Sequence, residues 1–179
     1  MGVSLSVVFV DVRGFTAMSG RIMPSEAVDR LNRFYNLAAR SVFELDGTLD
    51  KMVGDQVMAF FGAPFRPADH EERALRAALT IVSGVEAAAV GEDALRVGGG
   101  VAAGEVFMGN VGDGEVRDFA VIGDAVNTAA QLQQAAGPGE VLVSEDTYRA
   151  VAGQFKDARR RTLELKGKEA PLVAHVITS

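Results

Sequence analysis

Two aspartates stand where apolar runs end: Asp11 closes Val7-Val8-Phe9-Val10, and Asp55 follows Lys51-Met52-Val53-Gly54. Mg²⁺ and Mn²⁺ prefer carboxylate and phosphate oxygens, and two such ions can clamp both the attacking and the leaving oxygen of an in-line displacement. The pair therefore has the chemistry to hold divalent metal against a phosphate chain, provided that the two segments are buried and adjacent. Aspartate is also a preferred turn residue, so each carboxylate taken alone fits a solvated turn equally well.

The elements that must bring the two together follow from periodicity. Residues 7–10 are an unbroken apolar, β-branched-rich run, the pattern of a strand covered on both faces. Residues 48–52, a turn at 53–56 and a return at 57–61 read as a hairpin with Asp55 at its tip. Between these strands, Ala27, Leu31, Phe34, Tyr35, Ala38, Val42 and Leu45 recur at helical steps and predict a helix over about 25–45, ended by Asp46-Gly47. A second helix is predicted over about 68–90 and a glycine-rich strand over 95–103. A strand pair at 105–111 and 117–122 follows as a projecting hairpin. A third helix at 125–136 has Asp124 as its expected N-cap. A strand at 140–143, a short helix capped by Ser144, and strands at 161–165 and 172–177 complete the chain. The expected fold class is α+β: a βαββαβ core with additional C-terminal strands and helix, the helices packed on one face of the sheet.

Composition narrows the function classes. With 179 residues, 48% of them hydrophobic, the chain fits a single domain spanning 1–179 with a sizeable core. A formal net charge of -6, with one short basic run at 156–161, argues against a nucleic-acid partner. The absence of cysteine removes disulfides, zinc thiolate sites and thiol catalysis, and is compatible with a reducing cytoplasm. No apolar stretch approaches the ~20 residues that span a bilayer, and no signal peptide is visible, so a soluble chain without membrane contact is expected. Gly98-Gly99-Gly100-Val101-Ala102-Ala103 superficially matches a dinucleotide fingerprint, yet it lies inside a strand pattern with no helix opening after it. His70 and His175 show no metal-ligand spacing.

Four stretches in order carry a resemblance: Phe9-Val10-Asp11-Val12-Arg13-Gly14-Phe15-Thr16, Lys51-Met52-Val53-Gly54-Asp55, Gly104-Glu105-Val106 through Gly109-Asn110-Val111-Gly112, and Val121-Ile122-Gly123-Asp124-Ala125-Val126-Asn127. Over nearly its whole length the chain resembles the class III adenylate/guanylate cyclase catalytic domain. The resemblance implies a ferredoxin-like core and a head-to-tail homodimer with sites at the subunit interface. The implied reaction converts a nucleoside triphosphate to its 3′,5′-cyclic monophosphate and pyrophosphate. Asp11 and Asp55 match the ligands of two Mg²⁺ or Mn²⁺ ions, with the Val12 carbonyl completing one sphere. Backbone N–H groups of Gly14, Phe15 and Thr16 would cradle the β- and γ-phosphates. Lys166 matches a phosphate-binding lysine, or is an ordinary surface lysine beside a turn. Lys51 matches the adenine-reading position, where guanylate cyclases usually carry an acid, so ATP is favoured.

Two positions depart from the pattern. Where the family places an Asp or Thr that accepts from the adenine amino group, the chain has Ala120, which leaves a polar edge unpaired at a cost of roughly 1–3 kcal/mol. Four residues after Asn127, the match to the ribose-orienting residue, the family's transition-state arginine is replaced by Gln131. Losing one preorganised donor typically costs about 3–4 kcal/mol, or roughly 10²–10³ in rate. Two functions follow from the resemblance: a slow metal-dependent adenylate cyclase making cyclic AMP, or a degenerate cyclase domain that binds nucleotide or a partner cyclase and regulates without turnover.

Overall fold

A computed structural model describes residues 2–89, 91, 94–113, 116–165 and 169–178. Its central strand β1 (Gly2–Val12) is buried continuously from Leu5 to Val10, as the apolar run requires. The chain turns through a short helix α1 (Phe15–Ser19) into the long α2 (Pro24–Glu44), which starts at Pro24 with its pre-set φ. The hairpin of β2 (Thr48–Val53) and β3 (Gln56–Phe61) follows, then α3 (His70–Ala87) and β4 (Val97–Asp113). These strands lie in the order β2-β3-β1-β4, with β1 antiparallel to both β3 and β4. That order is the ferredoxin-like core expected of βαββαβ. Beyond it come β5 (Val116–Ile122), α4 (Asp124–Ala135), β6 (Glu140–Ser144), α5 (Glu145–Val151), β7 (Arg159–Leu163) and β8 (Leu172–Thr178). β6 runs parallel to β4 and extends the sheet through β8 to β7, while β5 pairs with β4 alone.

The helices do not all share one face, which corrects the expectation from sequence. α2 and α3 do lie together: Phe34, Val42, Leu75 and Ile81 pack with Val8, Val10 and Val12 of β1. The alternate β1 residues Val7 and Phe9 meet Ala125, Ala129 and Leu132 of α4 on the other side. A strand apolar at every position needs cover on both faces, because side chains alternate across the sheet. α4 supplies the second cover.

Two further expectations change. The predicted strands at 95–103 and 105–111 are one strand, β4, whose first part pairs with β1 and whose end pairs with β5. Asp124 does not cap α4. Gly123 holds the cap position without a side-chain bond, and Asp124 is the first helical residue, where its charge favours the helix dipole. The glycine run in β4 also finds its reason. A Cβ on Gly100 would stand 2.3 Å from the Ala129 carbonyl oxygen and 2.4 Å from the Gln133 nitrogen, so α4 rests its backbone directly on the strand.

Candidate active site

Asp11 lies one residue before the end of β1, in register with Gln56 of β3 on one side and Gly98 of β4 on the other. Gly54, at φ 59°, makes the left-handed step of the β2–β3 turn, and Asp55 follows it. The Asp55 carbonyl accepts the Val12 N–H at 3.0 Å, which straps the turn to the strand end. The two carboxyl groups then stand close enough for a side-chain hydrogen bond to link them when one carries a proton. Burial first, and the charge of Asp55 second, push the Asp11 carboxyl up to about 6; the Arg13 guanidinium and the Val12 N–H pull against them. Tyr35 on α2 belongs to the same neighbourhood: burial and the charges of Asp55 and Asp11 hold its phenol above the ordinary value.

This donor set fits a hard divalent cation. Asp11 Oδ1 is buried without a hydrogen-bond partner, an expensive arrangement for a carboxylate unless a cation meets it. Among the described residues no group of three or more His, Cys, Asp or Glu could hold a metal ion, so an ion here would take two carboxylates from the chain. Mg²⁺ commonly binds through one or two carboxylates and takes its other oxygens from water and substrate phosphates. Asp11, Asp55 and the Val12 carbonyl suit that division.

Directly after this strand end, Gly14 adopts φ 68° and starts α1. A Cβ there would meet nothing within 4 Å, so glycine is needed for its backbone angle, not for space. The first bond of this turn runs from the Met18 N–H to the Gly14 carbonyl at 3.0 Å, which leaves the N–H groups of Phe15 and Thr16 outside the helical ladder.

The remaining sequence candidates lie elsewhere in the chain. Lys51 is exposed on β2 beside a register irregularity between Leu49 and Lys51. Ala120 sits on β5 opposite Gly109. Asn127 is exposed on α4, and Gln131 lies one turn on, with Oε1 buried and unpartnered. The groups acting on the Asp11 carboxyl come from Asp55, Arg13 and Val12. The chain thus joins Asp11, Val12, Gly14, Phe15, Thr16 and Asp55 at one end of β1. Lys166 lies outside the described residues.

Arg13 and Tyr35 are the neighbours that sequence reasoning missed. For Arg13 a signal existed: it stands two residues after Asp11, the spacing that returns to the same side of an extended chain. Its side chain turns to α4, where Nε donates to the Ala136 carbonyl at 3.0 Å and Nη2 donates to the Gln133 carbonyl.

Comparison with known proteins agrees with this fold. The family model described as adenylate and guanylate cyclase catalytic domain matches residues 3–179. Among curated relatives, an uncharacterised Mycobacterium tuberculosis protein is 36% identical over 171 residues, covering 93% of this chain and 31% of its own length. A second from the same organism is 37% identical over 173 residues, covering 94% and 30%. The chain therefore spans about a third of these relatives. Among solved structures, the guanylate cyclase domain of RhGC from Catenaria anguillulae in complex with GTP superposes with a TM-score of 0.88 at 26% identity, covering 99% of this chain and 98% of that one. The adenylyl cyclase CyaB from P. aeruginosa superposes with a TM-score of 0.86 at 28% identity, covering 100% and 96%.

Proposed function

The chain belongs to the adenylate and guanylate cyclase catalytic domain family, and from that premise we propose that it is a metal-dependent nucleotidyl cyclase forming cyclic AMP from ATP at a homodimer interface. The observation that carries this reading is the Asp11–Asp55 pair at the end of β1, with its unpartnered buried oxygen. In the reaction the ribose 3′-hydroxyl loses its proton, a bond forms from the 3′-oxygen to the α-phosphorus, and the bond to the leaving pyrophosphate breaks. Two Mg²⁺ or Mn²⁺ ions held by Asp11, Asp55 and the Val12 carbonyl would supply the positive charge that both oxygens need.

The other roles fall to the chain itself. The N–H groups of Gly14, Phe15 and Thr16 bind the β- and γ-phosphates, and Lys166 adds a cation to them. From the partner subunit, Lys51 donates to adenine N1 and Asn127 orients the ribose. Ala120 accepts nothing from the adenine amino group, so preference for ATP over GTP is modest. Gln131, neutral and shorter than arginine, offers no bidentate charged contact to the α-phosphoryl oxygens. Turnover is correspondingly slow.

A second reading has its own observation. Gln131 Oε1 is buried without a partner, and Ala120 stands where an acceptor is expected, which favours a domain that binds nucleotide or a partner cyclase and regulates it without turnover. The two are separated by incubating the purified protein with ATP, GTP, CTP and UTP in Mn²⁺ and in Mg²⁺ and reading cyclic product by mass. Metal-dependent cyclic AMP that disappears in Asp11→Asn and Asp55→Asn supports the enzyme. Nucleotide binding without product from any of the four supports the regulator.

A further inference from the structure

Asn127 and Gln131 are useful only if α4 is held in one place against the sheet. Under the middle of the helix, Gly100 removes the side chain that would lift it. Its far end, besides the core packing of Leu132 and Ala136, is gripped by a residue of β1's extension. Arg13 donates from Nε to the Ala136 carbonyl at 3.0 Å and from Nη2 to the Gln133 carbonyl, 120 residues along the chain. With the Gln133 amide oxygen turned inward, Oε1 accepts from Nη1 at 2.8 Å and from Nη2 at 3.0 Å.

These acceptors sit at the C-terminal end of α4, where carbonyls run out of helical partners; the Gln133 carbonyl also takes the Ala136 N–H at 3.2 Å, and a cation there complements the helix dipole. Gln133 is 3% exposed, so water does not stand in for the guanidinium. The slot for it exists because residue 98 is glycine: a Cβ there would lie 2.8 Å from Nη2 and 2.9 Å from Nε. At its other end Arg13 is fixed by its own N–H, bonded to the Arg96 carbonyl at 2.7 Å, beside the Val12–Asp55 strap.

We infer that Arg13 is a positioning residue whose guanidinium locks the last turn of α4 to the carboxylate end of β1, and so sets where Asn127 and Gln131 stand in the site they serve. The inference rests on the shared-site reading above. It has a geometric consequence: Arg13 of one subunit lies beside that subunit's Asp11 but acts on the site whose carboxylates belong to the partner. A fork to several acceptors is required, so Arg13→Lys restores little.

The test has two readouts. In homodimeric Arg13→Met, hydrogen exchange at the amides of residues 132–136 should accelerate by at least about tenfold while β1 and β3 keep their protection; unchanged exchange in α4 overturns the inference. The second readout uses mixed dimers of Asp11→Asn and Asn127→Ala subunits, in which the one unmutated site takes its carboxylates from the latter and its α4 from the former. Arg13→Met placed in the Asp11→Asn subunit should cut recovered turnover, and binding of a non-cyclisable ATP analogue in Mn²⁺, several-fold more than the same change in the Asn127→Ala subunit. A loss that instead follows the carboxylate-bearing subunit, or is equal in both, overturns the inference and leaves Arg13 as a neighbour of Asp11. If the reference mixture recovers nothing while its dimers exchange, the shared-site reading fails and the exchange result decides the positioning role alone. Should Arg13→Met not fold, Gly98→Ala displaces the guanidinium from the same slot and carries the same expected outcomes.

Discussion

Asp11→Asn should make the metal-free protein more stable at neutral pH and, at the same time, deaf to divalent ions. Burial and the adjacent charge of Asp55 raise the Asp11 carboxyl from 3.8 to about 6, so the folded state binds this proton more tightly than the unfolded chain does. Stability from this group is therefore greatest below about pH 4, falls as pH rises through the window from about 4 to about 6, and is flat above it. Two units at ~1.4 kcal/mol each give a ceiling of about 3 kcal/mol, reduced by the partial solvent access of the site to roughly 1–3 kcal/mol. An asparagine of the same shape carries no charge and escapes the penalty. For a chain of this size that corresponds to a melting temperature higher by about 2–10 °C in chelator at pH 8, with the gap closing toward pH 4. Added Mn²⁺ or Mg²⁺ should reverse the ranking: an ion at ~100 times its dissociation constant stabilises the parent by about 2.7 kcal/mol and the variant little. Thermal unfolding at pH 8 and at pH 4.5, each with chelator and with metal, reads all four conditions. A variant less stable than the parent at pH 8 in chelator, or a gap that ignores pH, would refute this account of the carboxylate pair.

Three other changes are informative. Gln131→Arg should raise cyclase kcat by at least about tenfold in Mg²⁺ while altering nucleotide affinity little, because the added charge meets charge that develops in the transition state; no gain in a folded dimer that binds ATP would favour the regulatory reading. Gly100→Ala should destabilise by about 1–3 kcal/mol or more in chemical denaturation, since its Cβ meets α4 backbone at 2.3 Å and 2.4 Å, where no flexible side chain can yield. Arg161→Gln should cost about 1–3 kcal/mol at neutral pH, because Arg161 grips Glu140 at 2.8 Å and 2.9 Å. The hydrogen bond from Arg161 holds the Glu140 carboxyl below its ordinary value, so this stability is present above the unfolded carboxyl's range and is lost as pH falls through the folded one, and the difference between parent and variant should shrink in acid unfolding.

What the sequence determined by itself was local or strictly periodic. The apolar run of β1, the Val53-Gly54-Asp55-Gln56 turn and the helical spacing of α2 are written in neighbouring residues, because turns and amphipathic faces depend on chemistry a few positions apart. The two aspartates were legible for the same reason, each closing an apolar run. Tertiary structure alone decided which groups meet. An apolar run that needs cover on both faces does not say which helix covers which, and only the path through β4, α4 and β6 places α4 opposite α2 and α3. Burial raises the Asp11 carboxyl first, and the charge that raises it further comes from a turn 44 residues later in the sequence (55 minus 11), strapped to its strand. From sequence the glycine run holding Gly98 and Gly100 is only a superficial match to a dinucleotide fingerprint inside a strand; in the fold the two glycines are the space left for a guanidinium and for a helix backbone. Arg13 reaches an acceptor 120 residues away, and no local pattern encodes such a contact, since it depends on burial and on helix-end carbonyls that come within reach only once the helix is seated.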